Sequence, residues 1–465
     1  MHCTLFLFRV SILLHCLCSV LAWGKNKRKA RLEAERASIE AARLSKLVVI
    51  FGMEFDKTSF YAAVSTLIVL LIALCIQVRS RGKPTQKKRV PSSEGRDDHV
   101  EEDKFLDVVI VGCGLPKKGI GWFHLMQLLQ MPNVNVRAVV EPYYLDKKKC
   151  PYPPPEFVDL MGTLVEMDIQ CYYHVGELEI FQQPTLCIIA GDTTENPQLF
   201  QQCVGLGATH IFLEVPGAPS IGHLREMKSF AETRGVQVYM GYQNLTAQYI
   251  EKAVALSRSI RNSHVFFCHN DTHQSTELHR VFARYPEGML RSMASQELAI
   301  LVSQYKVVAN VIDKFKVNTN RLFSERTTFY NKANGAQLTD YSRVAFKITT
   351  KKGQNVSVMA DRCGGLVSFA VVKNQKGEEI QRFESHDEEE VSNIRRQIRE
   401  DKEMTRQFIV HSEDFLEIKR RVVQSILNGG APMNVASIQD GIDVMTLADY
   451  CTKEINSVLK ADDSF

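Results

Sequence analysis

The sequence predicts an α/β domain built on a parallel sheet, followed by an α+β domain with an open antiparallel sheet. An N-terminal part with apolar segments precedes both domains. Three observations support this fold class. From Phe105 onward, apolar runs of strand length alternate with segments of helical periodicity, which is typical of a parallel sheet covered by helices. Strand patterns such as RVAFKITT and QNVSVMADR follow within Ser263–Ser385. Upstream, Ser59–Val78 contains no charged residue.

Composition limits the class of protein. The chain has 465 residues, enough for two or three domains. Its 57 Lys and Arg against 53 Asp and Glu leave a net charge of +4, and the basic excess lies near the N-terminus, so no nucleic-acid partner is predicted. The 12 cysteines form no C-x-x-C pair and no Cys/His spacing typical of a metal. Buried or free thiols are expected, and no metal site is predicted.

Two apolar segments precede the α/β pattern. The first, Leu5–Trp23, contains a Val-Leu-Ala that a signal peptidase accepts, so residues 1–23 are a signal peptide or a first apolar segment. The second, Ser59–Val78, is long enough to cross a hydrocarbon core of about 30 Å as a helix. It is predicted to be a transmembrane helix, because nothing nearby could form a core around it. The polar stretch at 79–104 contains Pro and Ser and is interpreted as a flexible tether.

Charges on either side of the span predict its orientation. All charged residues in Arg79–Arg89 are basic, so the positive-inside rule places the main body of a single-pass protein in the cytosol. Two features oppose this orientation. Lys25–Arg31 (KNKRKAR) would have to cross the membrane if the first segment is a signal peptide, and glycosylation sequons lie in the main body at Asn244, Asn270 and Asn355.

A glycine turn follows the first predicted strand. DVVIVG is a continuous apolar run, and Gly112 and Gly114 permit backbone angles closed to other residues, so a phosphate can approach. The helical pattern WFHLMQLLQ then offers its first free N–H groups to a pyrophosphate. Leu115–Gly119 separates Gly114 from Gly121, so the spacing departs from G-x-G-x-x-G. A plain α/β turn is the alternative to a dinucleotide site.

The next predicted strand, VNVRAVVEP, ends in Glu141. A carboxylate at that point accepts hydrogen bonds from the adenosine ribose and repels a 2′-phosphate. Strand, glycine turn, helix, strand and acid together favour a Rossmann-type NAD(P)-binding domain over residues 105–244, with NAD favoured. Lys147–Lys149 oppose that preference, because their charges could neutralise a phosphate.

The segment Thr185–Asn244 resembles the Gfo/Idh/MocA family, which is named after glucose–fructose oxidoreductase and inositol dehydrogenase. In that family a strand ends in a threonine- or proline-containing loop, and here the strand is followed by Gly191 and Thr193. The next strand ends in Glu-Lys-Pro in the family and in Glu214-Val215-Pro216 here. A Gly-Tyr-Gln-Asn-like segment then closes the resemblance to the first domain.

The resemblance implies a nicotinamide cofactor and a small-molecule substrate bound between two domains. Residues 245–465 would form the α+β domain, whose sheet carries the substrate pocket and the interface of a homo-oligomer. Ser437–Tyr450 looks like the last helix of the family, which packs back on the core. The residues that would hold the cofactor are Gly112, Gly114, Gly121, Glu141, Gly191, Thr193 and Glu214.

The usual acid–base residues of the family are missing. Family dehydrogenases move a hydride to or from a sugar or polyol carbon, and a lysine, an aspartate and a histidine handle the proton. The lysine position is Val215, and on the segment Glu287–Val302, which is aligned as a helix, the other two positions are Ser292 and Gln296. Three further family positions are also changed, namely Asn196, Leu245 and Ala299. The sequence therefore leaves the catalytic residues unknown.

Two classes of function remain open. One is an altered oxidoreductase in which other groups handle the proton, with candidates at His124, His269, His273, His279 and Glu297. The other is a catalytically inactive dinucleotide-binding sensor or scaffold. Cys113 is interpreted as a small filler rather than a nucleophile. A coiled-coil interaction protein built on Asp387–Arg421 is disfavoured because no sustained heptad pattern appears, so that segment is predicted to be an insertion or long helix.

Overall fold

The computed structural model describes residues 105–330, 337–459 and 462–463. The predicted signal segment Leu5–Trp23, the predicted span Ser59–Val78 and the tether at 79–104 lie outside these residues. Within the described ranges, no helix is both long and apolar enough to cross a membrane. The described residues form a main body that contains two sheets and the helices packed on them.

The first sheet has the strand order that the α/β pattern requires. Its strands are β1 (Leu106–Val111), β2 (Val134–Val140), β3 (Gln170–Tyr172), β4 (Thr185–Ile189), β5 (His210–Leu213), β6 (Gln237–Met240) and β14 (Ala436–Ser437). The order across the sheet is β14-β6-β5-β4-β1-β2-β3, and all neighbours are parallel except β14, which runs antiparallel to β6. The chain direction across the sheet reverses between β1 and β4, which is where ligands bind in open α/β sheets.

Both faces of the first sheet are covered, as continuous apolar strands require. Val109 and Val111 lie in one buried cluster, whereas Val108 and Ile110 lie in another, so alternate side chains of β1 enter different cores. The connecting helices are α1 (Ile120–Leu128), α2 (Pro155–Glu166), α3 (Asn196–Gly205) and α4 (Ile221–Arg234). The predicted strand–helix alternation of the first domain is therefore confirmed.

The second sheet is mixed rather than antiparallel. Its strands are β7 (His264–Asn270), β8 (Ile312–Val317), β9 (Glu325–Tyr330), β10 (Gln337–Thr350), β11 (Asn355–Asp361), β12 (Phe369–Lys373), β13 (Glu379–Glu384) and β15 (Asp462–Asp463). Most neighbours are antiparallel, but β7 is parallel to β11 and β9 to β15. The first exception follows from topology: β7 is inserted between β11 and β12, which run in opposite directions, so it must be parallel to one of them.

The remaining helices pack on the two sheets or on one another. They are α5 (Gln248–Ser259), α6 (Leu278–Arg284), α7 (Ser295–Tyr305), α8 (Glu388–Glu400), α9 (Arg406–Val410), α10 (Ser412–Asn428) and α11 (Ile438–Val458). The segment Asp387–Arg421 is thus divided among three helices instead of forming one long helix. α10 packs behind the first sheet, where Ile418 and Val422 share a core with Val108 and Ile110. α11 begins within the predicted last helix and is buried against both sheets.

Candidate active site

The glycine turn after β1 brings three backbone segments into close contact. Gly112 and Gly114 have φ of +82° and +72°, a region that other residues rarely adopt. A Cβ at Gly112 would lie 2.6 Å from the backbone nitrogen of Gly191 at the end of β4. A Cβ at Gly121 would lie 2.0 Å from the carbonyl oxygen of Gly112, so only glycine lets α1 start against the strand. This is the close packing of helix on strand that a dinucleotide turn needs.

The inserted Leu115–Gly119 is a compact turn held by the C-terminal part of the chain. The backbone N–H groups of Lys118 and Gly119 both donate to the carbonyl of Leu115, at 3.2 and 2.8 Å. Lys117 Nζ lies 2.9 Å from Asp401 Oδ2, and the Lys117 carbonyl accepts from the N–H of Thr405 at 2.9 Å. The insertion therefore extends the glycine turn toward the segment between α8 and α9, and it leaves Lys118 facing a cavity.

A smaller cavity of about 460 Å³ lies on the β2 side of the glycine turn. Its key side chain is Glu141, which is buried and accepts hydrogen bonds from the N–H groups of Gly114 at 2.7 Å, Tyr143 at 3.0 Å and Tyr144 at 3.3 Å. The predicted acid thus lies at the end of β2 beside Gly112 and Gly114, in the position expected for a ribose-binding carboxylate. Lys147–Lys149 are exposed and do not line this cavity.

A larger cavity of about 610 Å³ opens on the other side of the turn, between the first domain and the second sheet. It shares Ala190 and Gly191 with the smaller cavity, so the two adjoin at the end of β4. The sequence-predicted residues that line it come from both domains: Gly191, Thr193, Asn196, Glu214, Val215, His269, His273, Ser292 and Gln296. Of the residues predicted to hold the cofactor, only Gly121 lines neither cavity, and its place is in the helix–strand contact.

Glu214 connects the larger cavity to a buried pair of side chains. Its carboxylate is 13% exposed, and Oε1 lies 2.7 Å from His124 Nε2. His124 has no exposed surface, and its Nδ1 lies 2.8 Å from Lys419 Nζ on α10, which is 1% exposed. Oε2 of Glu214 makes no hydrogen bond with any described residue. The three side chains form a continuous chain, hereafter the Glu214–His124–Lys419 chain.

Burial sets the protonation of this chain. Burial lowers the pKa of His124 to about 4, helped by the charge of Lys419 and opposed by Glu214, so the imidazole is neutral at physiological pH. Burial also lowers the pKa of Lys419 to about 7, although Glu214 acts in the opposite direction. An amine that gains and loses its proton near neutral pH, joined through a neutral imidazole to a carboxylate, can move a proton to the cavity wall.

Lys419 was not among the site residues predicted from the sequence. The available signal was its place in α10, where Phe415, Ile418, Lys419, Val422 and Val423 form a buried stripe at helical spacing. A lysine in an otherwise apolar stripe is costly to bury, so it indicates a partner. Which partner could not be read from the sequence, because His124 lies 295 residues away along the chain.

A second polar network lies on the wall formed by β7 and α7. His269 Nδ1 is 2.8 Å from Glu297 Oε2, and Asn244 donates to the other oxygen of Glu297 at 3.1 Å. Burial lowers the pKa of His269, but the charges of Glu297, Asp271 and Asp414 outweigh it, so that the pKa is raised overall. Nε2 of His269 has no partner among the described residues, and the side chain lines the larger cavity. His269 Nε2 is therefore positioned to contact an oxygen of a bound ligand, to which it donates when the ring is protonated.

The three positions at which the sequence predicts replaced catalytic residues all line the larger cavity, and the two polar side chains among them bond to neighbouring protein groups. Gln296 donates to Gln243 at 2.8 Å and accepts from the N–H of Asn244 at 3.2 Å. Ser292 donates to the carbonyl of Gly288 at 2.8 Å. The aligned helix at Glu287–Val302 was wrong in its first part: Gly288 has φ +85°, turns follow it, and helix α7 begins only at Ser295.

The other candidates have simpler roles. His273 lies 3.1 Å from Asp271, whose pKa falls to about 2 because contacts led by His273 outweigh the opposing effect of burial. His279 is exposed and lines neither cavity. Cys113 is fully buried, and burial, followed by the charge of Glu141, raises its pKa, which agrees with a filler and not with a nucleophile. No metal-type cluster of His, Cys, Asp or Glu occurs in the part of the chain that the structure describes.

The two cavities fit a nicotinamide dinucleotide. The glycine turn excludes a Cβ where a pyrophosphate would approach, and Glu141 is in place for a ribose. At the junction, Asn196 donates to the carbonyl of Gly217 at 3.1 Å, whereas its buried Oδ1 has no partner among the described residues. An orphaned buried acceptor of this kind is costly unless a ligand or water satisfies it.

Solved structures share this architecture. A myo-inositol 2-dehydrogenase from Lactobacillus plantarum is 13% identical, covers 76% of this chain and 98% of its own, and has a TM-score of 0.53. The chain shares the fold of this dehydrogenase. An oxidoreductase from Agrobacterium radiobacter in complex with NAD+, L-tartaric acid and magnesium is 12% identical, with coverage of 76% and 97% and a TM-score of 0.53.

An apo scyllo-inositol dehydrogenase from Lactobacillus casei gives 12% identity, coverage of 76% and 97%, and a TM-score of 0.51. No protein-family model matches the sequence, and no curated protein does. At these identities the likeness concerns the fold alone. The resemblance read from the sequence is confirmed at that level, and the roles of individual site residues stay predictions.

Proposed function

We propose that the protein is a membrane-anchored oxidoreductase that uses a nicotinamide dinucleotide, with NAD(H) preferred, and moves hydride to or from a small carbonyl or hydroxyl substrate. The observation that carries the proposal is the pair of adjoining cavities on either side of the glycine turn, with the Glu214 carboxylate on the wall of the larger one. Solved structures of the same fold that contain NAD support the cofactor. The anchor at Ser59–Val78 and a cytosolic body rest on the sequence alone.

The chain itself must handle the proton that accompanies hydride transfer. When bound, a nicotinamide ring supplies or accepts the hydride. Glu214 Oε2 takes the proton of a substrate hydroxyl, and a half-turn of the carboxyl group brings that proton to His124 Nε2. In the tautomer of His124 that carries its proton on Nδ1, Nε2 accepts it while the Nδ1 proton moves to the neutral amine of Lys419. The products are a carboxylate, a neutral imidazole and an ammonium, and the reverse sequence protonates a carbonyl. Lys419 thereby replaces the lysine that is absent at Val215.

His269 is proposed to hold the substrate oxygen from the opposite wall. Its Nε2 is unpartnered among the described residues, and Glu297 stabilises its protonated form. A protonated imidazole donates a hydrogen bond to an oxygen that gains negative charge in the transition state. Glu214 and His269 then act on one substrate from two domains.

Binding and turnover of the full chain in detergent test the proposal. Nicotinamide fluorescence should report NADH binding, and a panel of aldehydes, ketones and polyols should reveal turnover. Whatever its effect on NADH affinity, Glu214→Gln should lose about 10²- to 10⁴-fold in turnover at saturating NADH, the range of general acid–base help. Glu226→Gln, on the exposed side of α4, is the matched control and should change neither.

Each other outcome has a defined meaning. If neither NADH nor NADPH binds, the proposed function is wrong. If NADH binds but no compound in the panel is turned over, a dinucleotide-binding sensor is the better description. If Glu214→Gln turns over as fast as the wild type, the proton passes through another group.

A further inference from the structure

One side of α6, together with the turn before it, faces the larger cavity. Glu277, Arg280, Val281, Arg284 and Tyr285 all line it, at the spacing i, i+3, i+4, i+7 and i+8 that places residues on one side of a helix. Arg280 and Arg284 are exposed, and they lie four residues apart, about one turn of the helix. The two guanidinium groups therefore point to the same side of α6, at the wall of the cavity.

Several other charged residues of the cavity have a hydrogen-bonded or ion-paired partner, but these two arginines have none among the described residues. Asp271 is paired with His273, Glu277 lies 3.6 Å from Arg406, and Glu214 is bonded to His124. Arg362, the buried arginine of the wall, is paired with Asp340 at 2.7 Å. Arg280 and Arg284 make no hydrogen bond or ion pair with any described residue; Arg284 only contacts the ring of Tyr285.

The remaining acid of the wall does not offset the two arginines. Glu287 is half-buried, and burial, the strongest of several effects on it, raises its pKa, which disfavours its charged form. The other acids of the wall have partners, so Glu287 is left beside two adjacent guanidinium groups that have no hydrogen-bonded or ion-paired partner among the described residues. The wall near α6 is electropositive.

We infer that the substrate carries a carboxylate or phosphate group, and that Arg280 and Arg284 bind it. A guanidinium fork donates two parallel hydrogen bonds to such an oxyanion, whereas a neutral polyol offers no charge to match it. The inference rests on the proposed function for the hydride-transfer end of the cavity, and it adds the chemical class of the substrate. The oxyanion is held at α6 while the reacting carbon lies between Glu214 and His269.

Three sugars of similar size test the inference on the full chain in detergent. D-glucose, D-gluconate and D-glucose 6-phosphate are neutral, a carboxylate and a phosphate, and inorganic phosphate serves as a fourth probe. Calorimetry with and without saturating NADH should give at least tenfold tighter binding for one of the anions than for glucose, and that advantage should weaken as salt is raised. The two sugar anions distinguish a carboxylate from a phosphate substrate.

The double variant Arg280→Gln/Arg284→Gln should abolish the advantage of the anion and leave the affinity for NADH unchanged. Arg225→Gln/Arg261→Gln removes the same charge from exposed positions outside the cavity and should behave as the wild type. Equal affinity for glucose and both anions, failure of all anions to bind, or anion binding that survives the first double variant would overturn the inference. If NADH fails to bind while anion binding depends on the two arginines, the proposed function fails and the anion site stands.

Discussion

At the scale of single residues, the unusual feature of the protein is the buried Glu214–His124–Lys419 chain. Lys419 is almost fully buried, and its hydrogen bond is to the uncharged imidazole of His124, so the nearest opposite charge is Glu214 beyond it. An ammonium held in this way costs free energy of folding, because its hydration is lost and only partly replaced. Such a cost is expected of a group whose proposed role is proton transfer and not stability.

The pKa of Lys419 predicts a pH dependence of stability. The folded value is about 7 and the ordinary value is 10.5, so between these values the unfolded chain binds more protons than the folded chain. The contribution of this site to the free energy of unfolding therefore rises with pH across that window, and below pH 7 its cost is fully present. The free energy of unfolding of Lys419→Met should exceed that of the wild type most near pH 7, and the difference should shrink toward pH 10.

Chemical denaturation at several pH values measures this difference. Lys228→Met, which removes a half-buried lysine paired with Glu232 on α4, should show no trend over the same window. A constant difference between the Lys419 variant and the wild type from pH 7 to 10 would mean that Lys419 keeps an ordinary pKa.

Glu141 carries the second residue-scale prediction, which concerns cofactor choice. Its carboxylate is held by three backbone N–H groups in the smaller cavity, and there it would accept from ribose hydroxyls and repel a 2′-phosphate. Glu141→Gln should weaken NADH binding roughly tenfold, as expected for loss of a hydrogen bond to a charged group, and should narrow the preference over NADPH. Fluorescence titration with NADH and NADPH measures both affinities, and Glu179→Gln at an exposed position is the control. Equal NADH and NADPH affinity in the wild type would contradict the assignment.

At the scale of elements, the junction of β1 and α1 decides how closely a ligand can approach. A Cβ on Gly121 would meet the carbonyl of Gly112, which belongs to the backbone and cannot rotate away. We expect Gly121→Ala to lower the free energy of unfolding by about 3 kcal/mol and to weaken NADH binding, because α1 must shift from the turn.

The protein contains a matched control for this prediction. Gly162 lies in the exposed part of α2, and a Cβ there would meet nothing within 4 Å. Gly162→Ala should therefore raise the free energy of unfolding by roughly 0.5–1 kcal/mol through helix propensity. Denaturation of both variants should give changes of opposite sign in the free energy of unfolding if the contact at Gly121 is as close as the structure has it.

The helices between the second sheet and the C-terminus form another element-scale feature. Phe123 of α1 stacks on Phe408 at 4.6 Å between ring centroids, and Phe415 packs edge-on against Phe123. Together with the Lys117–Asp401 ion pair, these contacts hold α9 and the start of α10 against the glycine turn. Lys419 also lies on α10. The glycine turn and the Glu214–His124–Lys419 chain therefore depend on the same packing contacts.

At the scale of the whole molecule, the side of the membrane on which the body lies is predicted from the sequence alone. The basic residues of Arg79–Arg89 predict that the body is cytosolic. The structure weakens one opposing argument: Asn244 is 1% exposed and donates to Glu297, so a glycan on it is incompatible with this fold. Asn355, at the start of β11, is more accessible.

Topology is measured on sealed microsomes that contain the full chain. External protease should digest the body, since we expect it on the cytosolic side, and disruption of the membrane should change little. An Asn355→Gln variant should migrate as the wild type. A glycan on Asn355, or a body protected until detergent is added, would reverse the orientation.

Much of the fold was predictable because its signals are local. Apolar runs and helical periodicity depend on neighbours a few residues away, and they located the strands and helices of the first domain. Gly112, Gly114 and Glu141 were predictable because a glycine turn and an acid at a strand end have requirements of their own. The mixed pairing of the second sheet was not predictable, because the position of β7 between β11 and β12 is decided by pairing across the fold.

The sequence by itself determined the class of fold and the glycine turn, and it predicted that Val215 stands at the position of the family's lysine. Only the tertiary structure brought Lys419, the proposed substitute for that lysine, into contact with His124. Glu214 and His124 are 90 residues apart in the chain, and His124 and Lys419 are 295 apart. A hydrogen bond depends on distance in space, and no local periodicity records which distant helix closes the gap. The buried lysine in the apolar stripe of α10 was visible in the sequence, but its meaning came from the packing of α10 on α1.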